Sequence, residues 1–375
     1  MKIIALGGAG QEGTTTVRLL AADPRVEELV IADIDLDAAK TLASAEGMGR
    51  ARAVQIDVSD VERLKTLMAG ADVVANFVGP YYRFGKPTLE AAIAVGTNYV
   101  DICDDVDATE ACLSLDGAAR AAGVTAVIGL GASPGLANVL ARHGAAMMDE
   151  ADDIDIRWQV SATDVDSLGE SAAMFHFFHA IHGDIPQFLD GSLRMVPAYS
   201  GEESVEFKRI GTRQAFFTAH PEPVTIPRYL PGLRNVTCKG GIAGLDEAVE
   251  ALRALGLTSN DPIMIDGVAI APRRFAMRLL DALPAPDPLP EPKSGLKVIV
   301  KGRKGGAPLT VELEVMSPTR MSPLTGIPTA VGALLVAQKN VQAPGVTSPE
   351  GVFDTALFLA ELDNHGVKIA IATRD

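Results

Sequence analysis

Residues 1–20, MKIIALGGAGQEGTTTVRLL, decide the fold. Lys2 to Leu6 is a short apolar run closed by glycine, the pattern of a buried parallel strand. Gly8-Ala9-Gly10-Gln11-Glu12-Gly13 fits G-x-G-x-x-G, and Thr14 to Ala22 reads as helix. In such a unit the first glycine admits a tight turn and the second lets the main chain approach a pyrophosphate. The third lets the helix close onto the strand. The N–H groups that open the helix then face the phosphates. A second apolar run, Leu29 to Ala32, ends in Asp33, twenty residues beyond Gly13. A carboxylate there reaches the ribose hydroxyls of an adenosine. Ile34, Asp35, Leu36 and Asp37 follow without an arginine to receive a 2′-phosphate, which favours NAD over NADP. Gly8, Gly10, Gln11, Glu12, Gly13 and Asp33 are the candidate cofactor-binding residues at this end.

The alternation continues. Ala53 to Ile56 reads as a third strand ending at Asp57, a candidate neighbour of the adenine. Helix Val61 to Met68, strand Asp72 to Val78, helix Pro87 to Val95, strand Tyr99 to Cys103, helix Asp107 to Ala122 and strand Thr125 to Leu130 follow. Strands alternating with helices imply right-handed crossovers and a Rossmann-type parallel sheet, with ligands beyond the carboxyl ends of the strands. Three loops rich in glycine, proline and polar groups fall there: 76–86, 101–105 and 129–138. Gly79-Pro80 is expected near the nicotinamide end. Asp104 and Asp105 are candidates to hold a cationic nitrogen. Tyr81, Arg83, Lys86 and Ser133 are candidate substrate contacts. Cys103 reads as a buried small side chain, since no base is identifiable beside it.

The chain has 375 residues, long enough for two domains, with 47% hydrophobic and 22% charged residues. A net charge of −15 argues against nucleic acid or an anionic membrane as partner. Cys103, Cys112 and Cys238 are too scattered for a disulfide frame or a zinc site, and suit a cytoplasmic protein with reduced thiols. No basic region with a longer apolar run opens the chain, and no apolar run reaches the ~18 residues of a membrane span.

Beyond about Glu150 the pattern changes. Ile154 to Val160 alternates as a strand. Residues 263–270 read as a hairpin about Asp266-Gly267, and Leu296 to Lys301 with Thr310 to Met316 as another. Residues 284–290 form a proline-rich connector. Ser167 and Glu170 fit a capping box for a helix that Gly183 stops. His176, His179 and His182 on it are three apart, whereas a helical metal pair is i, i+4, so no metal is assigned. His176 and His179 are instead candidate proton carriers, because imidazole titrates near neutral pH. His220 and Glu222, in an extended prolyl segment, are weaker candidates. Thr329 to Gln338 and Thr355 to His365 read as helices and Val367 to Ala372 as a last strand.

NFVGPYYRFGKPTLEAAIAVGTNYVDICDD followed by GLGASPGLANVLA resembles the saccharopine dehydrogenase-like reductase family. FHFFHAIHGDIPQFLDG, QAFFTAHPEPVTIPRYLPGLRNV and TGIPTAVGALLVAQ extend the likeness, in layout toward its lysine 6-dehydrogenase-like branch. Many members carry Gly-Asp-Pro-Gly where this chain has Gly131-Ala132-Ser133-Pro134-Gly135, and Gly-Glu where it has Asp104-Asp105. The resemblance implies a dinucleotide-binding domain over 1–137 and an inserted substrate and dimerisation domain over 138–322. A segment 323–375 then rejoins the first. The fold class is α/β, with an inserted α+β domain holding a large mixed or antiparallel sheet, one face of which is a natural homodimer contact.

The resemblance further implies NAD-dependent oxidation of the C–N bond of an amino acid or diamine, such as a lysine-like amine going to an imine. The alternative within enzymes is an imine reductase that forms a secondary amine, as in saccharopine or carboxynorspermidine. From another class, a non-catalytic dinucleotide sensor fits the same turn. The expected partners are a small amine or amino acid and a second copy of the chain.

Overall fold

The computed structural model describes residues 1–162, 172–282, 293–338, 341 and 343–374. They form two compact units, Met1–His143 with Ser322–Lys368, and Gly144–Met321 with Ile369–Asp375.

The first unit is built on β1 (Lys2–Leu6), β2 (Glu28–Asp33), β3 (Ala51–Gln55), β4 (Val73–Asn76), β5 (Asn98–Asp101) and β6 (Thr125–Val127). A further strand, Gly345–Thr347, joins β6, and the order across the sheet is 345–347, β6, β5, β4, β1, β2, β3, all parallel. Order reverses between β1 and β4, where such sheets bind ligands. Ile3 to Leu6, Leu29 to Ala32 and Val73 to Ala75 are fully buried, as continuous apolar runs covered on both faces must be.

Two helices differ from expectation. The one expected from Pro87 spans Tyr81–Ala94 with Pro87 inside it. Pro80 caps it with φ −73°, and the Tyr81 hydroxyl donates to Asn76 O at 2.9 Å, so the turn before Pro87 is already anchored. The helix expected over 107–122 is two, Val106–Leu113 and Asp116–Ala122. At the break the Ser114 hydroxyl donates to Ala111 O at 2.6 Å, competing with the helical ladder.

Helix Ser322–Ala337 packs on α1 (Gln11–Ala22) through Gly326. A Cβ there would lie 2.6 Å from Thr15 Cβ, and Thr16 Oγ1 donates to Gly326 O at 2.9 Å. The returning segment leaves the unit at Lys368. The last strand, expected over 367–372, is Ala370–Arg374, and it pairs antiparallel with Ala307–Ser317 of the second unit. The layout with 323–375 wholly in the nucleotide domain is corrected accordingly.

The second unit holds a mixed nine-stranded sheet. Its central strand, Glu150–Ser161, runs parallel to Asn235–Ala243 and antiparallel to Ser294–Lys304. Ile154, Ile156 and Trp158 point to one face. Asp155 and Arg157 point to the other, where Glu203, Thr237, Lys239 and Lys301 join them in a charge network. Burial opposes ionisation of Asp155 and Glu203, and the cations outweigh it, leaving both carboxyls below their usual range. Ser294–Lys304 and Ala307–Ser317 form the expected hairpin, turning through Gly305 and Gly306 at φ +60° and +81°. Ile263–Ile265 and Val268–Ile270 form the other, through Asp266 and Gly267 at φ +50° and +81°, as an Asp-Gly turn requires. Ser167, Glu170 and the connector 284–290 lie outside the described residues.

Candidate functional site

The turn after β1 assigns its glycines differently from the simple motif reading. The left-handed residue is Gly7, at φ +67°. Gly8 is required by packing instead, since its Cβ would sit 2.9 Å from Ala5 Cβ. A Cβ on Gly13 would lie 2.8 Å from both Gly7 O and Gly8 Cα, so the helix sits directly on the turn. At Gly10 a Cβ would meet only Gly7 O, at 3.3 Å, and no side chain caps α1 there. The main chain at Gly10 is thus open to an anion, and a phosphate group fits it. Gln11 and Glu12 are half-buried in the first turn of α1. Asp33 ends β2. Its Oδ2 accepts from Ala9 N and its Oδ1 from Asp35 N, both at 3.1 Å, which ties the strand end to the glycine turn. Asp57 follows β3. The Ser59 hydroxyl and N–H both bond its Oδ1 and hold its carboxyl below the usual range.

A buried polar network, absent from the sequence expectations, organises the next loops. Asp101 ends β5 and is fully buried. Its Oδ1 accepts from Cys103 N at 3.0 Å and Gly129 N at 2.8 Å. Tyr99, two residues earlier on β5, accepts from Asn76 Nδ2 at 2.9 Å. Burial pushes the Asp101 carboxyl up to about 6 against these donors. One side chain thereby fastens the loops after β5 and β6. The third loop has a second pin. Gly135 N donates to Asn138 Oδ1 at 2.8 Å, and Asn138 Nδ2 donates at 3.0 Å to Glu350, which is fully buried.

The predicted residues of these loops take different roles. Gly79 has open space where a Cβ would be, and Pro80 caps the following helix. Tyr81 is buried and its hydroxyl is committed to Asn76 O, so the expected contact with a substrate carboxylate is withdrawn. Arg83 is exposed, its guanidinium 4.8 Å from the Phe84 ring, and Lys86 pairs with Glu90 at 4.0 Å. Asp105 is buried and accepts from Tyr82 N at 3.3 Å, which joins its loop to the preceding helix. Asp104 and Ser133 are half-buried. Cys103 is buried against Thr109 Oγ1 and Asp105 O, and burial raises its thiol far from a reactive range, as expected.

His176 and His179 belong to the second unit, on helix Ala172–Ala180, and both are half-buried. His182 lies past its end, exposed, 3.4 Å from Thr258 Oγ1. The same unit gathers a group that the sequence marked only faintly. Gly240 leaves room for the Trp158 indole, which lies where its Cβ would be, 1.9 Å from Cε2. The Trp158 and His220 ring centroids are 5.3 Å apart, and His176 meets His220 edge-on at 5.4 Å. His220 Nδ1 is 3.7 Å from Glu222 Oε2, and Glu222 is fully buried. The ligand atoms of His220, Glu222 and Cys238 lie within 4.8 Å of one another, a spacing that would also admit a metal ion. Among the described residues, Trp158 Nε1 and Thr218 Oγ1 are buried without a hydrogen-bond partner. The arrangement can hold a proton on an imidazole braced by a carboxylate, beside an aromatic face. Only the H-P-E spacing of residues 220–222 hinted at this; Trp158 and Cys238 carried no signal in the sequence.

Residues 3–127 match the family model described as the saccharopine dehydrogenase NADP binding domain, and residues 131–367 that of the saccharopine dehydrogenase C-terminal domain. The chain is 27% identical over 349 residues to a carboxynorspermidine synthase of Vibrio alginolyticus, covering 84% of this chain and 81% of that one. A carboxynorspermidine synthase of Vibrio cholerae is 24% identical over 329 residues, covering 79% and 77%. Among solved structures, saccharopine dehydrogenase (L-Glu forming) of Saccharomyces cerevisiae matches with a TM-score of 0.75 over 100% of both chains. At 18% identity that likeness is one of fold. Among the described residues no helix is long and apolar enough to cross a membrane.

Proposed function

The chain belongs to the saccharopine dehydrogenase family and is an NAD(P)-dependent oxidoreductase, and from that premise we propose that it works on the C–N bond of an amino acid or diamine. The observation that carries the reading is the built nucleotide turn, with Gly13 seated on Gly7 and Asp33 clamped to Ala9 N. Nicotinamide, when bound, accepts or supplies the hydride. The protein's own task is to hold a nitrogen and move a proton. In the oxidative direction a lysine-like amine becomes an imine. In the reductive direction an aldehyde and an amine are joined and reduced to a secondary amine, and the carboxynorspermidine synthases among the relatives favour this second reading.

NAD is the preferred dinucleotide in this reading. The family model is described as NADP binding, but Asp33, Asp35 and Asp37 surround the place where a 2′-phosphate would need a cation. Asp104 holds the cationic nitrogen, while Asp105 positions the helix it is bonded to. Arg83, Lys86 and Ser133 hold the polar remainder of the substrate. His176 and His179 stay the proton carriers, and the His176–His220 contact extends that role to the His220–Glu222 pair. The working form is a homodimer. Asp104→Asn tests the amine-holding role: a kcat/KM reduced by about 100-fold, with NADH affinity kept, supports it. An unchanged kcat/KM removes Asp104 from the site.

A further inference from the structure

Every residue from Asp261 to Ala269 is exposed, although the segment forms the hairpin Ile263–Ile265/Val268–Ile270. Ile263, Met264, Ile265 and Val268 keep 46–67% of their surface. Successive strand residues point to opposite faces, so among the described residues neither face of this hairpin is covered. A lone two-stranded hairpin is marginal in water, and one this apolar calls for a surface to lie on. The helix that follows, Pro272–Ala282, buries Ala276, Met277 and Leu280 and leaves Phe275 and Leu279 outward as a second apolar stripe. Hairpin and stripe are neighbours in sequence, yet neither covers the other.

We propose that a second copy of this chain covers both, with the hairpin of each protomer laid across the partner's Phe275 and Leu279 about a twofold axis. An isologous contact of this kind satisfies two donor hairpins and two acceptor stripes at once. The six apolar side chains expose roughly 650 Å² per protomer, close to the ~800 Å² each partner gives a stable interface. Charge agrees. The hairpin carries Asp261 and Asp266, and the stripe is flanked by exposed Arg274 and Arg278. The chain as a whole, at −15, would otherwise repel its copy. The inference rests on the homodimer of the proposed function and gives that dimer an interface other than the large sheet.

Sedimentation of the full chain over a wide concentration range tests it. Wild type is expected at twice 39.2 kDa. Met264→Asp and Phe275→Asp are each expected to raise the dimer dissociation constant by about thirtyfold or more, with melting and NADH binding unchanged. Asp266→Arg weakens the dimer, and adding Arg274→Asp with Arg278→Asp restores it. Should the aspartate variants lose their fold, Asp266→Cys with Arg278→Cys replaces them, and oxidation is expected to give covalent dimers. A dimer that survives Met264→Asp with Phe275→Asp, or a double cysteine variant that stays uncrosslinked, overturns the interface and leaves the homodimer standing. A wild type that sediments as a monomer throughout overturns both.

Discussion

Asp101→Asn should remove a pH dependence of stability that the wild type carries. Asp101 is fully buried, and its carboxyl is raised from the ordinary 3.8 to about 6, chiefly by burial. Between those values the folded chain holds a proton that the unfolded chain has released. Stability from this group is therefore present at low pH and is lost as pH rises through about 6. Integrated from pH 4.5 to 7.5, the loss is about 2 kcal/mol. Asn keeps an oxygen for Cys103 N and Gly129 N and never ionises, so the variant lacks this loss. Asp246, also raised to about 6, and the lowered Asp155 and Glu203 bend both curves alike. The informative quantity is thus the variant's stability minus the wild type's, from urea unfolding at each pH. It should rise by about 2 kcal/mol over that interval. Parallel curves would refute the claim that Asp101 is a desolvated carboxyl fastening the loops after β5 and β6.

Other consequences separate the parts of the account. Gly13→Ala should lower the melting temperature and abolish NADH binding, because overpacking at 2.8 Å costs about 1–3 kcal/mol, more than the helix propensity it gains. Gly10→Ala should leave melting nearly unchanged and weaken NADH binding; equal effects of the two on melting would contradict the geometry. Glu222→Gln should lower kcat about 100-fold at unchanged NADH affinity, measured by steady-state kinetics. Dialysis against a chelator should leave turnover intact, whereas loss restored by zinc would make His220, Glu222 and Cys238 a metal site.

The first unit was legible because its rules are local. An apolar run, a glycine string and an acid twenty residues on are each set by contacts within one β-α-β unit, and Asp33 bonds Ala9 as that spacing requires. Even there, which glycine turns and which packs depended on Ala5, since Gly7 and Gly8 are alike in sequence. Asp101 was passed over for Asp104 and Asp105 because its importance comes from donors at Cys103 and Gly129, the second 28 residues away. Tyr81 stood in a loop full of candidate ligands, and only burial shows that its hydroxyl is spent on the main chain. The His220 group is less legible still. It joins a central strand, a prolyl turn and a neighbouring strand, and Gly240 opposite Trp158 is a vacancy no motif announces.

The central claim is dinucleotide-linked chemistry at a C–N bond. Absorbance of the nicotinamide should be followed with the purified chain, NAD or NADP, and lysine, ornithine, saccharopine and diamines, and in reverse with NADH and paired aldehydes and amines. The account predicts turnover with at least one such substrate, faster with NAD(H) than with NADP(H), and with a raised KM for the dinucleotide in Gly10→Ala. Silence in both directions, from a protein shown to bind NADH, would contradict it.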